Sequence, residues 1–411
     1  MVYGKGFFQG GIIMSIDKVA VIGSGLMGHG IAQVAAMAGQ EVSLIDISHE
    51  LLQKAMQKVE FSLKRLSEKG KIQEGPDLVQ DRIKTTTDLG SGVRDADCVI
   101  EAVFEDINLK RELWREVDAH APQHAIMATN TSGLSITFIA DATKRKEKVI
   151  GMHWMNPPQI MKLVEVIKSE YTDEETLQGT LDLCKRYDKE TVISQRDVWF
   201  FLAARARTGY STECNFMYLR KEADFKELDA VARYQLGLPM GEFELTDFTG
   251  AVDIRPKGLK STEEIMQTYP DFEPWPALVS VYRHLSTDLW GPMSEKGLSG
   301  LKTGKGFYEY PGGKYVKPEI PEELSEKIDP AHLLAPGLNS AAWCVTNGVG
   351  SIDDINKSFR LAFGWPKGIF DYLDDYDIDN VVRILEAKQE KAPDWHRDFY
   401  KVDPLLANWG S

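Results

Sequence analysis

A histidine and a glutamate twelve positions apart have the surroundings of an acid–base pair. His153 ends the apolar run Val149-Ile-Gly-Met and opens His-Trp-Met-Asn156-Pro-Pro158. Glu165 lies inside the apolar run Leu163–Ile167, where an unpaired carboxylate is costly. Pairing with His153 would remove that cost, orient the imidazole and stabilise its protonated form, as a general base requires. The alternative is a structural histidine beside an edge-strand glutamate.

A second polar group follows another apolar run, in the turn Thr129-Asn-Thr-Ser-Gly133. The hydroxyl of Ser132 has two interpretations that the sequence leaves open. It contacts a substrate oxygen, or it caps the helix-like segment Leu134–Ala140.

The chemistry that such groups would serve is indicated by a glycine-rich turn near the start of the chain. The apolar run Lys18–Ile22 leads into Gly23-Ser24-Gly25-Leu26-Met27-Gly28, then a helix-like stretch, then an apolar run ending at Asp46. This strand–turn–helix–strand context is the dinucleotide-binding fingerprint, in which the helix N-terminus receives the pyrophosphate. Asp46 would accept hydrogen bonds from the ribose hydroxyls and repel a 2′-phosphate, which favours NAD over NADP. NAD implies hydride transfer.

Alternating strand and helix patterns surround these motifs. The predicted strands are Lys18–Ile22, Glu41–Ile45, Asp97–Val103, Ala125–Thr129, Lys148–His153, Leu163–Ile167 and Thr191–Ile193. The predicted helices include His49–Lys69, Asn108–Ala119 and Asp173–Tyr187. This alternation predicts an α/β, doubly wound, Rossmann-type domain with a parallel sheet. Helical periodicity replaces the strand signals after Asp197, so an all-α region follows.

The helical region contains a repeat with a constant offset of 127 residues. Leu228-Asp229, Gly237-Leu-Pro-Met-Gly241-Glu-Phe243 and Asp247 recur as Ile355-Asn356, Gly364-Trp-Pro-Lys-Gly368-Ile-Phe370 and Asp374. Two such helical units can bury their apolar faces against each other. We therefore predict three domains: an NAD-binding domain over 15–194, a helical domain over 195–317, and a degenerate second helical unit over 325–400.

Composition excludes several functions. The chain has 411 residues, 43% of them hydrophobic, and a net charge of −14, which argues against binding to nucleic acids or anionic membranes. Its four cysteines form no CxxC pair, so we expect no metal site and a reducing, cytoplasmic location. We interpret the residues before Lys18 as a tail, with Met14 as an alternative start.

Several motifs together resemble the 3-hydroxyacyl-CoA dehydrogenase family over roughly residues 18–315. Besides the glycine-rich turn, they are Glu101-Ala-Val-Phe-Glu105, Asn130-Thr-Ser132, His153-Trp-Met-Asn-Pro157, Met161-Lys-Leu-Val-Glu165, Gly237-Leu-Pro-Met-Gly241 and Lys302-Thr-Gly-Lys-Gly-Phe-Tyr308. The resemblance implies NAD-dependent oxidation of an (S)-3-hydroxyacyl-CoA, with a short acyl chain, in fatty-acid metabolism such as β-oxidation.

The resemblance also implies roles for individual residues. His153 would be the general base, Glu165 its partner and Ser132 a contact to the reacting oxygen. Glu105, Lys110, Asn156 and Lys302 would contact the nicotinamide half of NAD. Ser62 and Lys69, in the basic stretch Lys58–Lys71, would contact coenzyme A, although that stretch also fits an ordinary solvated helix face.

The same resemblance extends to partners. Single-unit relatives dimerise through their helical domains, so the second unit here would take the partner's place within one chain, as a monomer or a homodimer. The tail after Ala392 resembles a segment that precedes a hydratase domain in fused relatives, which suggests a separate enoyl-CoA hydratase as partner.

One departure from the family pattern affects the expected activity. Phe200 stands where the family has glycine, and Ala204 replaces its substrate-facing asparagine, while Arg205 is kept. Thr208 and Asn215 are candidates to supply a replacement hydrogen bond. The alternatives to an active enzyme of this type are a non-catalytic NAD- or acyl-CoA-binding homologue and a dehydrogenase of a hydroxy acid without coenzyme A.

Overall fold

The computed structural model describes residues 15–410, with the side chain of residue 271 left aside. Most of the predicted N-terminal tail lies outside the described residues. The described chain contains one eight-stranded sheet with strands β1 to β8 in the order β3-β2-β1-β4-β5-β6-β7-β8. The strands are β1 Lys18–Ile22, β2 Glu41–Ile45, β3 Ile83–Thr86, β4 Cys98–Glu101, β5 Ile126–Thr129, β6 Val149–Trp154, β7 Leu163–Lys168 and β8 Glu190–Ser194.

The doubly wound fold is confirmed, with two corrections to its details. The sheet is parallel from β3 to β6, but β7 runs antiparallel to β6, and β8 is parallel to β7. Only residues 155–162 connect β6 to β7, and a crossover to a parallel strand needs a dozen or more residues. The short edge strand β3 was not predicted, because its sequence Ile-Lys-Thr-Thr has a single apolar residue.

Helices cover both faces of this sheet. They are α1 Gly28–Met37, α2 His49–Glu68, α3 Pro76–Asp81, α4 Leu89–Val93, α5 Ile107–His120, α6 Ile136–Ala140 and α7 Glu174–Arg186. One core lies between the sheet and α1, α2, α3 and α7. The second core packs the opposite face against α4, α5 and α6 and continues without a break into the helical region. The predicted active site therefore lies where the sheet and the helical region share one continuous core.

The helical region begins after β8. Its helices are α8 Ala203–Leu219, α9 Phe225–Ala230, α10 Glu242–Thr249, α11 Ala251–Thr268, α12 Pro276–Leu285, α13 Gly291–Glu295, α14 Ala331–Thr346, α15 Ile352–Phe363, α16 Ile378–Lys391, α17 Asp394–Arg397 and α18 Pro404–Ala407. Adding 127 to the first residues of α8 and α11 gives the first residues of α14 and α16 to within one residue. The sequence repeat is thus also a structural repeat.

The repeated residues make equivalent contacts in the two units. Asp229 accepts a hydrogen bond from the N–H of Phe243 at 3.0 Å, and Asn356 accepts the equivalent bond from Phe370 at 3.0 Å. A Cβ at Gly241 would lie 2.2 Å from Asp229, and a Cβ at Gly368 would lie 2.2 Å from Asn356. Each glycine is therefore required by the close approach of the polar side chain opposite it.

The two units pack directly on each other through α8 and α14. A Cβ at Gly209 would lie 1.8 Å from the carbonyl oxygen of Pro336, so the two helix backbones touch there. The Ser340 hydroxyl accepts the Gly209 N–H at 3.0 Å and donates to the carbonyl of Ala206 at 2.7 Å. These contacts are the internal packing that the repeat predicts.

Candidate active site

The pairing of His153 with Glu165 follows from strand register. β6 and β7 are antiparallel, and His153 lies directly opposite Glu165 in the ladder. Residues opposite each other in an antiparallel pair project from the same face of the sheet. The His153 Nδ1 is 2.9 Å from Glu165 Oε2, and Glu165 is fully buried while His153 keeps 16% of its side chain exposed. A carboxylate that accepts from Nδ1–H leaves Nε2 unprotonated and able to take a proton.

The second oxygen of Glu165 is bound by the start of the helical region. Oε1 accepts hydrogen bonds from the backbone N–H groups of Leu202 at 2.7 Å and Ala203 at 2.8 Å. These are the first N–H groups of α8, where the helix dipole favours a negative charge. The buried carboxylate therefore has a donor on each side, and it ties the sheet to the helical region.

The turn into α8 uses a strained backbone to present those N–H groups. Phe200 and Phe201 have φ values of +69° and +56°, in the left-handed region that costs a non-glycine residue about 1–2 kcal/mol. The Phe200 ring stacks on Trp199 at 4.4 Å and lies 5.1 Å from Tyr282. The backbone at position 200 therefore has a conformation that glycine adopts most readily, and packing of the Phe200 ring against Trp199 and Tyr282 supports it here.

The glycine-rich turn has the shape that a dinucleotide requires. Gly23 has φ +94°, and a Cβ there would lie 2.6 Å from the carbonyl oxygen of Ala102. A Cβ at Gly28 would lie 1.7 Å from the Gly23 carbonyl oxygen, whereas Gly25 faces open space. No side chain caps the N-terminus of α1 at Met27 within the described chain. Backbone N–H groups beside an open glycine suit a pyrophosphate.

Asp46 is held at the end of β2 beside that turn. Its Oδ2 accepts from the backbone N–H of Ser24 at 2.7 Å and from the Ser24 hydroxyl at 2.6 Å, and its Oδ1 accepts from the Ile47 N–H. The carboxylate is half-buried, with the remaining lone pairs available to ribose hydroxyls. Leu26 is exposed in the same turn.

A polar network joins the ends of β4 and β5 and contains two of the predicted cofactor contacts. Glu105 accepts from the Thr131 hydroxyl at 2.6 Å and from the Ser132 N–H at 2.8 Å. Lys110 is buried, 2.5 Å from Glu101 and 3.5 Å from Glu105. Burial alone would lower the pKa of Lys110, but the two carboxylates outweigh it and raise that pKa. The ammonium is therefore committed to these carboxylates.

The structure decides against one of the two interpretations of Ser132. The N-cap of α6 is Ser135, whose hydroxyl accepts from the Phe138 N–H at 3.1 Å. The capping interpretation of Ser132 is therefore wrong. Ser132 is exposed at the carboxyl end of β5, one strand away from His153.

The remaining residues predicted to contact NAD or coenzyme A lie in three different parts of the structure. Asn156 is exposed in the loop directly after β6, next to His153 in sequence. Lys302 is 78% exposed in the helical region, where its Nζ is 3.9 Å from Asp253, so the structure does not join it to the strand-end residues. Ser62 is half-buried on α2 and Lys69 is exposed at its C-terminal cap, and their spacing of seven residues places them on one helix face.

The expected substitutes for the missing asparagine are engaged elsewhere. The Thr208 hydroxyl donates to the Arg205 carbonyl at 2.7 Å, and Thr208 is buried. Asn215 donates to the Ser211 carbonyl and accepts from the Trp290 indole. Both groups are therefore already hydrogen-bonded within the helical region, and a replacement contact from either of them stays a prediction. Ala204 itself is half-buried one residue beyond the Glu165 contact.

Sequence reasoning missed three parts of the site. They are the buried Glu101–Lys110 pair, the Thr131 contact to Glu105 and the N–H groups of α8 that bind Glu165. A glutamate ending an apolar strand and a lysine nine residues later, on a helix, was the only sequence signal for the first. In residues 15–410 no group of three or more His, Cys, Asp or Glu residues is arranged to hold a metal. Within the same residues no helix is both long and apolar enough to cross a membrane.

Comparisons with known proteins agree with this geometry. The family model described as the NAD-binding domain of 3-hydroxyacyl-CoA dehydrogenase matches residues 18–198. The model of the family's C-terminal domain matches residues 201–310 and 331–411. The second match includes the second helical unit.

Individual relatives cover different shares of the chain. The hydroxyacyl-coenzyme A dehydrogenase of Rattus norvegicus mitochondria is 38% identical over 302 residues, which are 72% of this chain and 91% of that protein. The fatty acid oxidation complex subunit alpha of a Shewanella strain is 30% identical over 94% of this chain and 55% of its own length. A crystal structure of 3-hydroxybutyryl-CoA dehydrogenase from Escherichia coli shares the fold, with TM-score 0.79 and 24% identity over 96% of this chain and 98% of that one. The chain belongs to the 3-hydroxyacyl-CoA dehydrogenase family of NAD-dependent oxidoreductases.

Proposed function

We propose that the protein oxidises short-chain (S)-3-hydroxyacyl-CoA thioesters to the 3-ketoacyl-CoA, with His153 as the general base. The observation that carries this proposal is the chain of contacts from His153 through Glu165 to the N-terminus of α8. A buried carboxylate with donors on both sides is what keeps an imidazole in one orientation and balances its charge once protonated. Bound NAD would accept the hydride from C3.

The protein's own groups have distinct tasks in this proposal. His153 takes the hydroxyl proton at Nε2, and Glu165 holds the resulting imidazolium. The exposed hydroxyl of Ser132 contacts the reacting oxygen. Gly23 to Gly28 and Asp46 hold the pyrophosphate and adenosine ribose, and Glu105 and Asn156 face the nicotinamide half. Lys110 acts as a positioning residue, because its ammonium is paired with Glu101 and Glu105.

The test is NADH formation from (S)-3-hydroxybutyryl-CoA, compared with the (R) isomer and with free 3-hydroxybutyrate. We expect turnover of the (S) thioester alone, in line with an acyl-CoA role in fatty-acid degradation. His153→Gln should lower kcat by at least about 100-fold, the usual contribution of a general base, with the Kd for NADH unchanged. A variant that keeps near-wild-type turnover would remove His153 from this role.

We also propose that the second helical unit replaces a partner subunit. Support comes from the close packing of α8 on α14, with Gly209 against Pro336. A truncation after Pro318 would expose the α8 surface, so we expect it to dimerise or aggregate while the full chain does not need a partner. Light scattering on both proteins is the measurement. A truncated protein that stays monomeric and soluble would contradict the proposal, and co-purification with an enoyl-CoA hydratase tests the proposed partner.

A cytoplasmic location is proposed on the state of the cysteines. All four are buried free thiols, and burial raises the pKa of each of them, which makes them unreactive. Cysteines without disulfides are typical of proteins in a reducing compartment. Fractionation of the source cells with an antibody to this chain is the check. Enrichment in another compartment would contradict this assignment.

A further inference from the structure

The second helical unit contacts the segment that leads from the sheet into α8. This segment follows β8, and it runs beside the turn that joins α14 to α15. The backbone N–H of Gln195 donates to the carbonyl of Val349 at 2.8 Å, and the Arg196 side chain donates to the carbonyl of Asn347 at 2.9 Å. The start of the segment is therefore anchored to the second unit.

The closest contact between the two lies at the end of the segment. A Cβ at Gly350 would lie 2.5 Å from Leu202 Cδ2 and 2.6 Å from Leu202 Cδ1, so the leucine side chain occupies the space that a larger residue would need. Leu202 is fully buried, and its backbone N–H donates to Glu165 Oε1 at 2.7 Å. Leu202 therefore connects the second unit with the carboxylate that holds His153.

Arg205 supports the same turn from inside α8. Its Nη1 donates to the Trp199 carbonyl at 3.3 Å, and its guanidinium binds Glu273 through two hydrogen bonds, with Nη2 at 2.8 Å. Both charged side chains are fully buried. The ring of Trp343, on α14 of the second unit, lies 4.2 Å from the guanidinium carbon, within cation–π range. The second unit thus also forms a wall of the site that holds Arg205.

The turn between these contacts needs support from its surroundings. Phe200 and Phe201 both have positive φ values, in the region that disfavours residues with a side chain. Such backbone persists where the neighbouring structure holds it in place. The contacts from the second unit lie on both sides of this strained pair, at the start of the segment and at Leu202.

We propose that Gly350 and Trp343 of the second helical unit are positioning residues for the reaction. They hold the turn before α8 so that its first N–H groups point at Glu165, and Glu165 then fixes the tautomer of His153. The second unit therefore contributes to catalysis in addition to covering the α8 surface. This inference rests on the proposed dehydrogenase function.

The first experiment shifts Leu202 by one methyl group. Gly350→Ala presses only on the ends of the leucine side chain, so the fold can adjust by moving that side chain. In NADH formation from (S)-3-hydroxybutyryl-CoA, kcat should fall by about 10- to 100-fold, since a misplacement of about 1 Å costs about 10²-fold. The Kd for NADH should not change, because the cofactor-binding residues are not touched. A kcat within about twofold of wild type, or an equal loss of NADH affinity, would overturn the proposal.

A double-mutant cycle shows whether the effect passes through Leu202. Leu202→Ala keeps the backbone N–H but removes the two Cδ atoms that face Gly350. In that background Gly350→Ala should change kcat by less than about twofold, because the added methyl group has space and the coupling between the two sites is lost. An undiminished effect of Gly350→Ala in the Leu202→Ala protein would overturn the proposal.

Variants of Trp343 test the second contact. Trp343→Leu removes the ring beside Arg205 and should lower kcat by about tenfold, whereas Trp343→Phe keeps a ring and should retain at least about half of the wild-type kcat. Trp409→Leu is the matched control, because Trp409 is another half-buried tryptophan packed on the second unit, stacked on Phe370 at 5.4 Å. It should lower stability without changing kcat. Equal losses of kcat in Trp343→Leu and Trp409→Leu would contradict the proposal.

The tautomer of His153 gives a readout that needs no turnover. In protein with isotope-labelled histidine rings, the nitrogen chemical shifts distinguish a proton on Nδ1 from one on Nε2, and His153→Gln assigns the signal. We expect the Nδ1–H tautomer in the wild type and a mixture of both in Gly350→Ala. An Nδ1–H signal that Gly350→Ala leaves unchanged would overturn the positioning role. A wild-type protein that does not turn over the thioester would overturn the dehydrogenase function instead.

Discussion

Replacing Glu165 by glutamine tests how the site fixes the protonation state of His153. The amide has one acceptor and one donor end, whereas the carboxylate accepts at both. With its oxygen towards α8, glutamine keeps the bonds from Leu202 and Ala203 and places its NH2 against His153 Nδ1. The reverse orientation would set the NH2 against two N–H donors. The first orientation is therefore favoured, since it keeps two hydrogen bonds and forms a third.

That orientation forces the wrong tautomer. Nδ1 becomes the acceptor and Nε2 carries the proton, so the ring can no longer take the substrate's proton. The same change in the Ser-His-Asp triad lowers kcat about 10⁴-fold, and we expect a loss of about 10³- to 10⁴-fold here. Losing the charge at the N-terminus of α8 should also cost about 0.5–2 kcal/mol of unfolding free energy.

The assay is steady-state NADH formation, with the Kd for NADH measured by fluorescence as a readout of the intact cofactor site. Glu213→Gln is the control, because Glu213 is another fully buried carboxylate, bound by Lys388 and Tyr400 in the helical region. It should lower stability without changing kcat. A Glu165→Gln variant with kcat within about threefold of wild type would refute the tautomer argument.

Three further outcomes are expected. Asp46→Ala should raise the Kd for NADH by about tenfold and bring it closer to the Kd for NADPH, since Asp46 both binds the ribose and holds Ser24. Both Kd values are measured by fluorescence titration, and an unchanged ratio of the two would contradict this role. At position 200, where φ is +69°, Phe200→Gly should be more stable than Phe200→Ala by about 1 kcal/mol in urea unfolding, the reverse of the usual order in a helix. Burial raises the pKa of Asp229 to about 7, so the folded state keeps a proton that the unfolded chain releases above about pH 4. Its contribution to the free energy of unfolding should therefore fall by up to about 4 kcal/mol as the pH rises from about 4 to 7. Asp229→Asn, which copies Asn356 of the second unit, should remove this dependence of the unfolding free energy on pH. Parallel pH dependences of the wild type and the variant would contradict this.

The strongest local patterns were sufficient to predict the elements that carry the site. β1 and β2 begin and end at the residues predicted from the apolar runs and the glycines that flank them. The sequence repeat with an offset of 127 residues predicted that the two helical units would contain matching helices. These features depend on hydrophobic periodicity and turn chemistry, which are written in neighbouring residues. The candidate base and its partner were also visible, because a carboxylate in an apolar run needs a partner.

Only the tertiary structure decided how these parts combine. The short connection after β6 makes β7 antiparallel, and that register places His153 opposite Glu165. The N–H groups of α8 reach Glu165 from 37 and 38 residues away, a contact that no local pattern encodes. The same is true of Lys302, whose side chain lies by Asp253 in the helical region. Contacts between distant segments depend on the packing of whole elements, so the sequence determined the groups available and the fold determined their partners.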